Sequence, residues 1–272
     1  MQSRQKQIPV TMKIAVISDI HGNLPALQAV LAEIDKEGVD EIVNCGDTLG
    51  GPLQAAETAE LLMKRQIPMI AGNHERQMLT LPANKLSLSD ACARSQISST
   101  QRAWLASAPP NLWLTEDVFV CHGTPGSDFQ YWLETVTNDF GISGSLGLRA
   151  ATPAEILERL GTGIHAERAR VVVCGHTHIP RIFNRVSPTE DHMMTIVNPG
   201  SVGLPAYSDV YPYKHYIETG STHARYALLE QKSLGWQAEL RSVKYDFESM
   251  ARLAEARHRP DWASALRTGR MG

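Results

Sequence analysis

The chain has 272 residues, 43% of them apolar and 20% charged, with a net charge of −3. That balance excludes a disordered chain, and at roughly 150 residues per domain the length allows one large domain or two small ones. A duplex-DNA binder neutralises phosphates with a basic excess that this chain lacks, and no apolar run approaches the roughly 20 residues of a membrane helix, so neither duplex DNA nor a membrane is an expected partner.

Residues 1–11 are polar, lack the apolar core of an export signal and read as a disordered leader, with Met12 as an alternative start. Residues 12–18 (MKIAVIS) then read as a strand buried on both faces. Asp19-Ile20-His21-Gly22-Asn23 follows. A helix comes next, with Leu27, Val30, Leu31 and Ile34 on one face, Asn23 as N-cap, Pro25 in the first turn and Gly38 at the end. Residues 41–45 form a second strand before Gly46-Asp47, and residues 53–65 a helix. A third strand at 68–71 leads into the loop Gly72-Asn73-His74-Glu75. Residues 89–107 read as mostly helical. Strands at 117–121 and 170–174 precede His122-Gly123 and Gly175-His176-Thr177-His178. Between them Thr152-Pro153-Ala154-Glu155 is a capping box that opens a helix to about Leu160. A strand at 194–198 enters Pro199-Gly200-Ser201. An aromatic loop carrying Tyr207, Tyr211, Tyr213 and Tyr216 follows, then a hairpin of strands at 224–230 and 237–244, and a helix with Phe247, Met250 and Leu253 on one face. With no internal repeat and no linker, residues 12–256 read as a single domain and 257–272 as a polar C-terminal tail.

Five predicted strands in succession end in loops that hold His, Asp or Asn. In open α/β sheets ligands bind beyond the carboxyl ends of the strands, so these loops converge on one site. Asp19 and His21, like His176 and His178, are two residues apart, which in an extended segment points both side chains the same way. Asp47, Asn73 and His122 add one donor each. Two carboxylates, one amide oxygen and four imidazoles exceed the needs of one ion and suit two with a shared carboxylate. The N/O donor set favours Mn²⁺, with Fe, Zn or Ni as alternatives, over Cu(I) or an Fe–S cluster, and Mg²⁺ binds imidazole poorly. Two such ions can hold a hydroxide between them and clamp a phosphoryl group for in-line attack. No Ser or Cys nucleophile is needed, and no G-x-S-x-G is present.

Asp19-x-His21, Gly46-Asp47-x-x-Gly50, Gly72-Asn73-His74-Glu75, His122 after a strand and Gly175-His176-Thr177-His178 together resemble the calcineurin-like metallophosphoesterase superfamily, in that family's order. The segments Asp19-Ile20-His21-Gly22-Asn23 and Asn198-Pro199-Gly200-Ser201-Val202-Gly203 are most similar to its small bacterial and archaeal phosphodiesterases. The resemblance implies a four-layer α/β/β/α sandwich of two mixed sheets, to which the C-terminal hairpin could add part of the second sheet. It also implies a first divalent metal on Asp19, His21 and His178, a second on Asn73, His122 and His176, and Asp47 bridging them. His74 would be catalytic, touching the phosphate and protonating or stabilising the leaving oxygen. The substrate would be a small phosphoester or nucleotide, with a diester favoured over a monoester or a nucleotide pyrophosphate bond. The protein phosphatases of the superfamily place Arg before Gly-Asn-His and an Asp-Arg pair after the second motif. Here Ala71 and Thr48-Leu49-Gly50-Gly51 stand at those places, which disfavours that branch.

Plainer readings compete at several positions. Asp and Asn after strands often cap helices, but propensity alone does not gather four His into convergent loops. A scaffold that has lost its metals would lack ligands, whereas all seven and His74 are present. Glu75 reads as an acid facing a helix dipole. Cys45, Cys121 and Cys174 read as small buried apolar residues. With Cys92 they make no C-x-x-C pair, so free thiols in a cytoplasmic protein are the expectation. Phe129, Tyr131 and Trp132 read as packing residues, and the tyrosine loop either lines a cleft or packs on a sheet. His165, His192, His215, His223 and His258 lack motif context and read as surface residues. Substrate choice is expected to lie in residues 128–151 and 207–216; the natural substrate and the oligomeric state stay open.

Overall fold

Alternate residues of the first strand, β1 (Lys13–Ile17), divide the core in two. Ile14 and Val16 face one apolar cluster while Ala15 and Ile17 face another, as the period of two in a strand requires. The computed structural model in which this is seen describes residues 12–189 and 192–271; the leader expected at 1–11 lies outside them. After β1 come α1 (Leu24–Glu37), β2 (Glu41–Asn44), α2 (Ala55–Arg65), α3 (Asn73–Thr80), α4 (Leu88–Gln96) and α5 (Ser99–Ala106). The middle of the chain holds β3 (Leu112–Trp113), β4 (Val118–Val120), β5 (Glu134–Val136), β6 (Leu148–Ala150), α6 (Pro153–Leu160), α7 (Ile164–Arg168) and β7 (Val171–Val173). The rest is β8 (Arg181–Thr189), β9 (His192–Asn198), β10 (Ala206–Asp209), β11 (His215–Glu218), β12 (Ala224–Lys232), β13 (Gly235–Val243), α8 (Phe247–Ala256) and α9 (Pro260–Thr268).

Two mixed sheets dominate, ordered β13-β12-β1-β2 and β3-β4-β7-β9-β8. Val43 from the first and Val118, Val120, Val171, Val173 and Val197 from the second join Ile14 and Val16 in the core between them. On its outer face the first sheet buries Leu27, Val30, Leu31 and Ile34 of α1 against Ala15 and Ile17. The second sheet's outer face packs Phe119, Val172 and Ile196 on Ile156 and Leu160 of α6 and Ala166 of α7. The layers therefore run α/β/β/α, the expected fold class. Each strand between two apolar layers must be apolar on both sides, which is why these segments read as continuous Val/Ile runs.

Several local expectations are corrected. The C-terminal hairpin forms as β12–β13, but it joins β1 in the first sheet, with Lys13 opposite Glu230. Ala227 and Leu229 of β12 line the inter-sheet core while Tyr226 and Leu228 face α1, so the hairpin has the face pattern of β1. Residues 68–71 make only a parallel bridge between Asn44 and Met69, because the Ala71 amide already turns away to the Pro109 carbonyl at 2.8 Å. The loop expected at Asn73-His74-Glu75 is the first turn of α3. The helical stretch at 89–107 is two helices, α4 and α5, each started by its own serine cap, Ser87 and Ser98. The tyrosine loop is the hairpin β10–β11. Residues 257–272, expected as a polar tail, carry α9, whose Trp262, Ala263, Ala265 and Leu266 are buried with Leu53 and Leu204. Among the described residues no helix is long and apolar enough to cross a membrane.

Candidate metal centre

The candidate ligands leave the carboxyl ends of both sheets. Asp19 and His21 follow β1, Asp47 follows β2, and Asn73 opens α3; His122 follows β4, and His176 and His178 follow β7. Backbone hydrogen bonds stitch the loops together. The Asp19 amide donates to the Gly46 carbonyl at 3.0 Å and the Gly175 amide to the His122 carbonyl at 2.7 Å. Across the two sheets, the His176 amide donates to both Asp19 oxygens at 3.2 and 3.1 Å. The two segments that carry the phosphodiesterase resemblance also meet. The Asn23 side chain donates to the Gly203 carbonyl at 2.8 Å, and the Ser201 hydroxyl to the Asp19 carbonyl at 2.7 Å.

Asp19, His21, Asp47, His176 and His178 all adopt left-handed backbone, with φ of 54°, 52°, 50°, 67° and 57°. This corrects the expectation that i and i+2 converge through an extended segment: here left-handed residues flank Ile20 and Thr177. The left-handed region costs a non-glycine residue about 1–2 kcal/mol, and such strain concentrates at functional sites. The loops also demand glycine at Gly72, where a Cβ would run into Asp47 Oδ1 and stand 2.9 Å from His122 Cε1.

Two groups of ligand atoms result, Asp19–His21–His178 and Asp47–His122–His176, each with its atoms within 4.8 Å of one another. Asn73 adds Oδ1 at 3.1 Å from His122 Nε2, and Asp47 Oδ2 stands 3.1 Å from the same nitrogen. In all four histidines one ring nitrogen faces a backbone carbonyl, an acceptor only. His21 Nδ1 meets Gly50 O at 2.5 Å, His122 Nδ1 meets Cys45 O at 2.7 Å, His178 Nδ1 meets Leu204 O at 2.7 Å, and His176 Nε2 meets Phe129 O at 2.9 Å. Those nitrogens carry a proton, and in a neutral ring the opposite nitrogen is a lone pair aimed into the site; at His122 burial lowers the pKa, but the Asp47 carboxylate dominates and raises it to about 10, so a cation there would displace a proton. His21 Nε2 and His178 Nε2 face each other at 3.1 Å, a contact that needs either a proton or a metal cation between the two nitrogens. Burial and the neighbouring His178 and His74 hold His21 neutral, its pKa lowered to about 3. Burial and His122 lower His176 to about 4. The donor set and its tautomers thus fit divalent cations.

Asp47 belongs to the second group and also touches His74. Burial pushes its carboxyl up, but His122 and His74 outweigh this and hold it well below the usual carboxylate range. Its Oδ1 accepts the His74 amide at 3.0 Å, and its Oδ2 is 3.9 Å from His74 Nε2. His74 is 23% exposed and turns Nδ1 to Asp90 Oδ1 at 2.6 Å. Burial lowers the imidazole's pKa, but the Asp47 and Asp90 carboxylates dominate and raise it to about 9. Glu75 does more than face a helix dipole. Its buried carboxylate accepts the amides of Asp47, Thr48 and Gly72, each at 2.8 Å, and so ties the second and third motif loops together.

Other contributors escaped the sequence reading. Asp90 sits in Ser87-x-x-Asp90, which reads only as a helix start. His215, expected at the surface, is buried; its Nε2 meets Tyr131 Oη at 2.9 Å, and Tyr131 Oη meets Tyr207 Oη at 2.8 Å. Tyr207 in turn donates to the His176 carbonyl at 3.0 Å, with its ring centroid 4.7 Å from that of His178. A histidine buried by cross-strand pairing leaves no local signal. His258 is exposed, His165 and His223 are half-buried, and the His192 side chain lies outside the described residues. Trp132 is core, as read, its Nε1 donating to Ile156 O at 3.0 Å. Phe129 and Tyr131 instead line the cleft. All four cysteines are free. The cleft itself, about 280 Å³, is bounded by His21, His176, His74, Phe129, Tyr207 and, from the turn between α8 and α9, Arg259.

The chain is 25% identical over 275 residues to the uncharacterized protein MJ0912 of Methanocaldococcus jannaschii, covering 93% of this chain and 96% of that one. The fold matches the crystal structure of a metallophosphoesterase from Sphaerobacter thermophilus with a TM-score of 0.70 at 22% identity, over 95% of this chain and all of that one. The family model of the calcineurin-like phosphoesterase superfamily domain matches residues 12–220, so this chain belongs to the calcineurin-like phosphoesterase superfamily.

Proposed function

We propose that the chain is a metal-dependent phosphodiesterase in which Asp19, His21, Asp47, Asn73, His122, His176 and His178 hold two divalent ions, Mn²⁺ preferred, with Asp47 shared. The observation that carries this reading is the pair of adjacent groups Asp19–His21–His178 and Asp47–His122–His176, tied together by the His176 amide on the Asp19 carboxylate, with His74 Nε2 3.9 Å from the Asp47 carboxylate. When bound, the ions supply an activated water and the charge that polarises the phosphoryl group. The chain's own residues do the rest. His74, protonated through its contacts with Asp47 and Asp90, gives a proton to the leaving oxygen. Backbone carbonyls orient the four ligating imidazoles. Preference for a diester rests on the resemblance carried by residues 19–23 and 198–203.

The test is hydrolysis of bis-p-nitrophenyl phosphate against p-nitrophenyl phosphate by metal-stripped protein reloaded with Mn²⁺, Ni²⁺, Zn²⁺ or Mg²⁺. Metal-dependent diester cleavage is the expected result, with Asp47→Asn losing both turnover and bound metal because a neutral amide bridges two cations poorly. Monoester preference would move the assignment to a phosphatase. Full activity and full metal content in Asp47→Asn would refute a shared carboxylate.

A further inference from the structure

The family match ends at residue 220, yet Arg259, Asp261, Trp262 and Met271 line the same cleft as the candidate metal ligands. The C-terminal helices thus add a wall from beyond the residues that the family model matches. Arg259 is the only Arg or Lys among the described residues that line this cleft, and Ala71 offers no cation near the third motif.

The Arg259 guanidinium is held on several sides. Its Nη1 donates to Ser89 Oγ at 2.8 Å, while Nε and Nη2 donate to Asp261 at 2.9 and 2.6 Å. It also lies over the Trp262 ring, 5.5 Å from the centroid, and Trp262 in turn meets the His21 ring edge-on at 5.9 Å. Of the five N–H groups of a guanidinium, these bonds use three. One on each terminal nitrogen meets no acceptor among the described residues, although the side chain is only 16% exposed. A guanidinium fixed in orientation, with free donors and little solvent, is built to take an oxyanion. Ser89, which grips it, precedes Asp90, which holds His74. Arg259 and His74 are thus held by consecutive residues of α4 and line the same cleft.

We infer that Arg259 forms a second anion subsite, taking a phosphate on the leaving portion of the substrate. The inference rests on the phosphoesterase reading and narrows it to esters or anhydrides whose leaving portion is itself phosphorylated. The direct probe is isothermal titration of the metal-loaded protein with inorganic pyrophosphate and with orthophosphate at fixed free metal, metal content being measured before and after. The wild-type protein is expected to bind pyrophosphate at least about tenfold more tightly than orthophosphate. Arg259→Gln should lower that ratio about tenfold or more, the worth of a charge-assisted pair, and Arg259→Lys, which keeps the charge without the fork, should fall between. The lysine variant carries the test if the glutamine variant does not fold. A wild-type protein with no preference for pyrophosphate, or a ratio unchanged in the variants, overturns the subsite. Diester turnover with an unchanged ratio would sink the subsite alone. An Arg259-dependent ratio without any phosphoester turnover would sink the phosphoesterase reading and leave the subsite standing.

Discussion

Replacing Asp90 by Asn isolates one electrostatic element of the site. The carboxylate is buried, lies 2.6 Å from His74 Nδ1 and otherwise bonds Ser87 Oγ at 2.8 Å and no metal ligand. Asn keeps the shape and an acceptor oxygen, so His74 stays in place and only the charge goes. A hydrogen bond to a charged partner contributes about 1.5–3 kcal/mol against roughly 0.5–1.5 for a neutral one. The difference, about 1.5 kcal/mol, corresponds to roughly tenfold in rate if it is realised in the transition state. The sign of the pH effect follows. In the proposed role of proton donor His74 must be protonated, and Asp90 is one of the groups that raise its pKa to about 9. Removing that charge lowers the pKa, so activity is lost at lower pH on the alkaline side. The assay is the pH profile of kcat for bis-p-nitrophenyl phosphate, with metal content as control, in wild type, Asp90→Asn, His74→Ala and the double variant. Asp90→Asn should slow turnover about tenfold, shift the alkaline limb downward, leave both metals bound and have no further effect once His74 is gone. An unchanged limb, or an equal loss in the His74→Ala background, would refute the pairing.

Two further outcomes follow from residues that shape the loops. Glu75→Gln sets an amide NH₂ against three backbone donors that now share one carboxylate. It should destabilise the fold by about 3 kcal/mol, read as a fall in Tm of roughly 6–12 °C for a chain of this size; a melt within a degree of wild type would mean that these bonds contribute little. Tyr207→Phe removes the bond to the His176 carbonyl and the contact with Tyr131 while keeping the ring against His178. It should weaken metal affinity by about tenfold with little change in Tm, as loss of an outer partner of a ligand does. Undiminished affinity in a metal titration would show that the ligand loop holds itself.

How much was legible in the chain depended on distance along it. The strands of the inter-sheet core are apolar on both faces, so residues such as 12–18 and 170–174 announced themselves, and α1 carried its cap, its stripe and its terminating glycine within one window. The motif residues were equally local, because a turn at a strand's end is written in consecutive positions. Tertiary structure decided everything that needs two distant segments. It put β12 beside β1 rather than in the second sheet. It chose which nitrogen of each histidine faces the site, through carbonyls of Gly50, Cys45, Phe129 and Leu204 that any residue could have supplied. It also brought Asp90 to His74 and buried His215 behind Tyr131. Finally, it turned an apparent tail into the helix that delivers Arg259 to the cleft. Local propensity and periodicity are properties of neighbours in sequence, whereas a backbone carbonyl, a buried counter-charge or a cleft wall acts only on whatever folding places against it.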